Sequence, residues 1–454
     1  MHAQGVPGGG GIRFVLLRRQ NGLPWRNEDT LFTAADMADT DRFPGKPTPY
    51  TSSTKLYFGI KMVTAGDLDG DGVDDLLVRD TNSVFVLFLE RSSRFVRDWH
   101  RLDFGATSVA GSGGLARFRP SSDFFGDGHP DFVIGASATS SNDGAIVIAS
   151  LSDSGRAVAH STLIARGING GPTLHPVGSA LGVGSATVPD EDGDGLDEVL
   201  VAASLSSVAY RIRLNADGTA KPNAHYMTTS TPASSGRVIA PVGTIGCGSG
   251  VASFRLNAKV QRPQTVISCA SPTGELLFYR PQSTTVSVVP GALPFDVEPS
   301  SVSGTVSLAS NDVSFATYTV VTSYTPDDHG YLGAVAYMGD WDGDGNGDIA
   351  VGAVHMNAHV SYAGGAFVAL LDDDGSWPQP GQWGLGTRSV LFTNGEGGFA
   401  PNAFPAGGHA GIGIAANIDL DGNGVTDFVL SHSHMTSAVR LLHFCAVSRF
   451  VSII

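Results

Sequence analysis

Five stretches of the chain crowd carboxylates at alternate positions: GDLDGDGVDD from Gly66, DFFGDGHPDFVIG from Asp123, DEDGDGLDEVLVA from Asp190, DWDGDGNGDIAVG from Asp340 and DLDGNGVTDFVLS from Asp419. Counted from the first Asp, every copy has glycine at positions four and six: Gly70 and Gly72, Gly126 and Gly128, Gly193 and Gly195, Gly343 and Gly345, Gly422 and Gly424. Oxygen-bearing side chains fill positions one, three, five and nine in four copies. These are Asp67, Asp69, Asp71 and Asp75; Asp190, Asp192, Asp194 and Glu198; Asp340, Asp342, Asp344 and Asp348; and Asp419, Asp421, Asn423 and Asp427. In the copy at Asp123 the third position is Phe125, which leaves Asp123, Asp127 and Asp131. Alternate carboxylates on a tightly turning loop converge on one point, where a hard cation taking about 6 to 8 oxygen ligands replaces their repulsion with attraction. Position seven (Val73, His129, Leu196, Asn346, Val425) varies in type, as it should if it contributes a backbone carbonyl. Calcium, at about five sites, fits better than magnesium, which takes fewer protein ligands and keeps its waters.

The EF-hand shares this spacing but requires a glutamate at position twelve and flanking helices. Position twelve here is Val78, Ile134, Val201, Val351 and Leu430, all aliphatic, so the EF-hand fails. Short apolar runs bounded by turn residues flank each loop, as in LGAVAYM before Gly339 and DIAVG after Gly347, and they read as buried strands joined by a hairpin. A third apolar segment follows, as in Val84–Leu89, Ala145–Ala149, Ala366–Leu371 and Ala438–Leu442, and often a fourth, as in Thr387–Phe392. Four antiparallel strands per repeat is the pattern of a propeller blade.

The wide gap between the loops at Asp190 and Asp340 needs a blade whose turn has lost its ligands. Gly236–Ala240, Gln264–Ser268 and Glu275–Tyr279 supply its strands, and residues 300–326 could supply a further degenerate blade. At the other end, Gly11–Leu17 reads as a third strand with no first or second before it. The expectation is an all-β, seven-bladed β-propeller, with six blades as the alternative. It would form one domain over residues 1–454, with residues 11–36 and 428–454 closing the ring so that no sheet edge is left exposed.

The order of aliphatic strand, D-x-D-G-D-G-x-x-D, aliphatic strand and Gly-Ala, as at Gly135-Ala136 and Gly352-Ala353, resembles the FG-GAP repeat of the integrin α-subunit propeller. Tyr57-Phe58-Gly59 matches its Phe-Gly half loosely. The resemblance spans roughly residues 55 to 445. It implies a seven-bladed propeller with calcium in the loops joining first and second strands, and ligand contact on the opposite face. Similar repeats occur in bacterial surface proteins, lectin-like propellers and some polysaccharide-degrading enzymes.

Composition agrees with an all-β chain: 454 residues with 59 glycines and only 16% charged residues. A net charge of −15 without Lys/Arg clusters argues against nucleic acid and anionic membrane surfaces as partners. No apolar stretch approaches the roughly 18 to 20 residues a spanning helix needs, so a soluble chain with no direct membrane insertion is expected. The opening MHAQGVPGGGGIRF lacks the apolar region of a secretory signal. That leaves a cytoplasmic chain, a processed mature chain and a chain lacking its start as alternatives. Of the three cysteines, Cys247 and Cys269 could pair if they sit on adjacent strands, leaving Cys445 free; three buried thiols is the alternative.

Two connections between second and third strands are rich in histidine: Val354–Tyr362, with His355 and His359, and Ser431–Met435, with His432 and His434. Imidazole titrates near neutrality and ligates transition metals, so these loops are either a metal or catalytic site or polar loops that cap strands. No G-x-S-x-G, P-loop or H-E-x-x-H pattern is present, and no catalytic residue is assigned. Trp25, Trp99, Trp341, Trp377 and Trp383 are read as exposed aromatics able to stack on sugar rings or bury at an interface, Trp341 pointing outward from its loop. The expected function is a calcium-binding extracellular or cell-surface module for adhesion or ligand binding, with an extracellular protein or carbohydrate as partner. The alternative is a propeller-based polysaccharide lyase or hydrolase with its site on the histidine-rich face.

Overall fold

The apolar runs on either side of each acidic loop are strands, and the loop is their hairpin connection. The computed structural model describes residues 10–20, 23–47, 58–92, 95–111, 113–138, 143–172, 178, 180–190, 193–203, 208–221, 225–228, 247–254, 264–269, 275–282, 312–319, 332–356, 359–371 and 389–432. These residues are all-β apart from one short 3-10 turn at Asp36–Ala38. They form six four-stranded antiparallel sheets of the propeller-blade type. The second strands, such as Asp75–Arg79 and Asp348–Ala353, are buried at every position, which is why they read as continuous aliphatic runs and not as alternations.

Contacts divide the chain into two units. One comprises Met1–Leu102, Pro272–Gly274 and Val320–Ile454; the other comprises Asp103–Ser271 and Glu275–Thr319. In the first unit, β3 (Lys61–Gly66), β4 (Asp75–Arg79), β5 (Val84–Leu89) and β6 (Val96–Arg101) make one sheet in chain order. A second sheet runs through β19 (Leu332–Gly339), β20 (Asp348–Ala353), β21 (Gly365–Ala369) and β22 (Ser389–Thr393). The third joins strands from both ends of the chain: β23 (Ile414–Ile418) and β24 (Asp427–His432) hold the first and second places, β1 (Gly11–Gln20) the third and β2 (Leu23–Thr33) the fourth. Register pairs Phe14 with Val429 and Ile12 with Ser431.

The second unit contains the sheet β7 (Leu115–Arg117), β8 (Asp131–Gly135), β9 (Ala145–Leu151) and β10 (Val158–Ala165), and the sheet β11 (Leu181–Val188), β12 (Glu198–Ala203), β13 (Val208–Ile212) and β14 (His225–Thr228). Its last sheet is β15 (Cys247–Phe254), β16 (Gln264–Cys269), β17 (Glu275–Gln282) and β18 (Asp312–Thr319). Two expectations change here. The first strand of this sheet is β15, while Gly236–Ala240 lies outside the described residues. Residues 312–319, read from sequence as part of a further blade, instead cover the open edge of β17 in eight register pairs, which satisfies backbone groups that a three-stranded sheet would leave bare.

The Gly-Ala ending of the second strand has a packing cause. A Cβ on Gly352 would stand 1.8 Å from the Gly411 carbonyl oxygen, and one on Gly135 would stand 1.9 Å from that of Gly182. In both cases the backbone of the next first-strand segment lies directly against the strand, leaving no room for a side chain.

The core of the first unit centres on aromatic contacts. Phe14 is fully buried and stacks on Phe95 at 5.4 Å, while Phe85 meets Trp99 edge-on at 6.1 Å. Truncating a fully buried phenylalanine costs about 3–5 kcal/mol. Phe14→Ala is therefore expected to lower the urea midpoint of the whole unit, and an unchanged midpoint would show that β1 contributes little to this core.

Candidate metal centres

The first aspartate of each loop builds the turn. Asp67 accepts N–H bonds from Gly70 (2.7 Å), Asp71 (3.0 Å) and Gly72 (2.9 Å). Asp340 accepts from Gly343 (2.8 Å) and Gly345 (3.0 Å), and Asp419 from Gly422 (2.8 Å), Asn423 (3.0 Å) and Gly424 (2.9 Å). Asp190 and Asp123 do the same for Gly193, Gly195 and Gly128. The glycines at positions four and six have φ between 67° and 93° in all five loops, the left-handed region other residues avoid. At position five, Asp71, Asp127, Asp194, Asp344 and Asn423 each accept the N–H of position seven at 2.7–3.0 Å. Position one thus wraps the loop around its own carboxylate, and position five stiffens its exit.

Position nine is a different kind of group. Asp75, Asp348 and Asp427 are completely buried. Asp75 accepts the N–H of Leu68, at loop position two, at 2.9 Å and that of Leu89, at the end of the third strand, at 2.8 Å. Asp348 does so with Trp341 and Leu371, both at 2.9 Å, and Asp427 with Leu420 (2.8 Å) and Leu17 (2.6 Å). Burial pushes the carboxyls of Asp75, Asp131, Asp348 and Asp427 up from 3.8 to about 7, against the pull of their N–H donors and with further help from neighbouring loop aspartates.

Three loops bring carboxylate oxygens within 4.8 Å of one another: Asp67, Asp69 and Asp71; Asp340, Asp342 and Asp344; and Asp419, Asp421 and Asp427. All donors are hard oxygens, and each carboxylate oxygen that accepts one N–H keeps a lone pair free. Such a set suits a hard divalent cation better than a soft one. Such an ion would offset most of the loop's charge and lock the hairpin. Basic side chains already approach two loops: Arg97 contacts Asp69 and stands 3.6 Å from Asp71, and Lys221 contacts Asp194.

The remaining two loops depart from this arrangement. At Asp123 the Phe125 ring fills the third position and stacks on His160 at 5.3 Å, Ser150 donates to Asp127 at 2.7 Å, and His129 faces Asp153 at 2.8 Å. Buried Asp131 accepts from Phe124 at 2.7 Å, while its Oδ1 has no partner among the described residues. At Asp190 the eighth position carries weight that its spacing did not signal. Asp197, 1% exposed, accepts from the Asp190 N–H (3.0 Å) and from Arg119 Nε (2.7 Å), tying the loop to the segment after β7. Asp192 lies outside the described residues; Glu198 is buried at the start of β12. Val73 and Val425 are buried at position seven, as is Asn346, whereas His129 and Leu196 are half-buried.

Two readings of the aromatic and histidine residues are corrected. Trp341 and Trp99 are each 2% exposed, not surface platforms. Position two is an inward anchor: its N–H is held by the buried carboxylate, so Phe124, Trp341 and Leu420 plunge into the core. His432 is likewise fully buried, against Phe404 at 5.2 Å and near Arg13, and burial pushes its imidazole pKa well below the usual range. The side chain of Trp25, with His434, Trp377 and Trp383, lies outside the described residues. The other histidine-rich connection does gather at the surface. His355 stands 5.0 Å from His409 and 5.2 Å from Tyr362, ring centre to ring centre. His359, Tyr362 and His409 all take positive φ. Sequence reasoning missed His409, which comes from a separate loop.

These features define a class: an all-β chain of blade-type sheets, five of whose first hairpins are acidic loops, three of them gathering carboxylates that could hold a metal ion. No protein-family model matches the chain, and no curated protein does. Solved structures similar to it include virginiamycin B lyase from Staphylococcus aureus, at 8% identity over 94% of this chain and 96% of that one, with a TM-score of 0.36. A GH43 glycoside hydrolase with an engineered active site shares 11% identity over 95% of this chain and 96% of that chain (TM-score 0.31). The exotype rhamnogalacturonan lyase YesX shares 12% over 75% of this chain and 60% of that chain (TM-score 0.27). Likenesses this distant assign no activity. No helix among the described residues is long and apolar enough to cross a membrane.

The position-nine carboxyls give the metal-free chain a defined pH response. Their folded pKa values lie above the unfolded one, so protonation favours the fold; stability is greatest below about pH 4 for these groups and is lost as pH rises toward 7. In chelator, the melting temperature is expected to fall between about pH 4 and about pH 7, and calcium should remove that fall by favouring the ionised form. A chelated chain that melts higher as pH rises would contradict this assignment. A pair of substitutions separates turn-building from ligation: in chelator, Asp340→Ala is expected to cost about 1.5–3 kcal/mol through lost charged hydrogen bonds, and Asp342→Ala clearly less. Chemical denaturation of both variants measures the difference.

Proposed function

We propose that the chain is a calcium-stapled propeller module that binds a protein or glycan ligand outside the cell or at its surface, as the FG-GAP repeats it resembles would imply. The observation that carries this reading is the recurrence of one turn in five loops, four of them with the same inward anchor and the same buried terminal aspartate. About five calcium ions would occupy these loops, held by positions one, three, five, seven and nine, the Phe125 copy being weakest for want of its third oxygen. Calcium here is structural. Each site filled at a hundredfold excess over its dissociation constant adds about 2.7 kcal/mol to stability.

Ligand contact belongs at the other end of the strands. In the β19–β22 sheet the metal loop joins β19 to β20, and the β20–β21 connection carrying His355, His359 and Tyr362 lies at the opposite end, beside His409. Tyr362 is 39% exposed and flanked by two imidazoles, a surface suited to stacking on a sugar ring or anchoring an interface. A second reading, polysaccharide lysis or hydrolysis at this cluster, draws on the same rings, because paired imidazoles beside a phenol can move protons near neutral pH.

A screen of the calcium-loaded chain against glycans and matrix proteins, repeated in EDTA, tests the first reading. Binding lost at least about tenfold in Tyr362→Ala, at unchanged calcium content, is the expected result. Polysaccharide cleavage that disappears in His409→Ala would establish the second reading instead. A folded, calcium-loaded chain that neither binds nor cleaves would remove both.

A further inference from the structure

The sheet β15–β18 is the exception among the first hairpins. Its connection between first and second strands, residues 255–263 (RLNAKVQRP), contains no carboxylate and three basic residues, so no cation can staple it as the acidic loops staple theirs. The same two strands carry a different pair of residues at the end away from that turn. Cys247, at the start of β15, is the register partner of Cys269, at the end of β16.

We propose that Cys247 and Cys269 form a disulfide that takes the place of the missing acidic staple. Directly opposed residues of antiparallel strands have Cα atoms about 4.5–5.5 Å apart. A disulfide spans about 4.4–6.8 Å between Cα atoms, so this register position meets its requirement. The neighbouring sheet supplies a control for the face. There the equivalent pair is Leu181 and Ala203, set off by the same register shift, between Leu181 and Gly184 as between Cys247 and Gly250. Leu181 and Ala203 are both buried in one apolar cluster, so the two equivalent positions face the same side of the hairpin.

Formation is a two-electron oxidation, and a low-molecular-weight disulfide such as oxidised glutathione is the acceptor. The thiolate of one cysteine attacks a sulfur of the oxidant, forming a mixed disulfide and releasing one thiol. The second cysteine then attacks the protein-bound sulfur, closing the bridge and releasing the other thiol; the two thiol protons leave with the two reduced oxidant molecules. This bond places the chain in an oxidising compartment.

The test is thiol counting on the wild-type chain, folded in a glutathione redox buffer and then denatured without reductant in excess maleimide. Of the three cysteines, one is expected to be labelled before reduction, Cys445, and all three after it. Peptide mapping should recover the segments containing Cys247 and Cys269 joined. Three labels before reduction, or a bridge joining Cys445 to either partner, overturns the proposal. In calcium, Cys247→Ser is further expected to lower the melting temperature of the oxidised protein and to leave that of the reduced protein nearly unchanged; equal losses in both would mean that the cysteine packs without bridging.

Discussion

The folds around the loops at Asp67, Asp340 and Asp419 each depend on one buried carboxylate. The aspartate that ends the loop sits at the first residue of the second strand, yet its two oxygens hold the N–H of loop position two and the N–H where the third strand ends. One side chain therefore ties together the exit of strand one, the start of strand two and the end of strand three. An unsatisfied buried amide costs about 1–3 kcal/mol, and each aspartate removes two of them. In the sheet formed from both chain ends the same bond has a longer reach. Asp427 holds the N–H of Leu17, and Asn423 donates its amide to the Leu17 carbonyl at 2.6 Å, so both backbone groups of one N-terminal residue are captured by a C-terminal loop.

That capture explains why position five is asparagine there and aspartate in the other four loops. A carboxylate could not donate to the Leu17 carbonyl, so the amide exchanges a unit of ligand charge for a bond that holds β1. The electrostatics elsewhere follow a similar trade. Burying the ninth carboxyl would be prohibitive without its N–H donors, and with them it still binds a proton up to about pH 7. The exposed aspartates around it add repulsion, which a cation relieves. Structure and charge thus ask opposite things of the same residue, and a bound ion is what reconciles them.

The local part of this design was legible in sequence. Gly70 and Gly72, and their counterparts, had to be glycine because the turn needs positive φ, and the alternate aspartates had to converge once the loop was that tight. Burial was not legible. Trp341 reads as an outward side chain on a charged loop because nothing local announces that Asp348 will pin its N–H and aim its ring at the core, 6.3 Å from Phe392. His432 reads as a loop histidine because its partners, Arg13 and Phe404, come from distant segments. Asp197 gave no local signal for the same reason, its partner Arg119 lying 78 residues away in the segment after β7. Each misreading involves a partner far away along the chain, to which period and spacing are blind.

The groups that meet each loop make the five unequal. At Asp67 and Asp190 an incoming ion meets carboxylates already approached by Arg97 and Lys221, so binding must displace a cation or share its field. At Asp123 the third position offers the ring of Phe125, stacked on His160, in place of an oxygen. At Asp419 the loop has lowered its own charge through Asn423. The five loops are therefore a graded set, marked in sequence at Phe125 and Asn423 and in three dimensions by Arg97 and Lys221. The turn itself is common to all, because every loop builds it on the same first aspartate and the same two glycines.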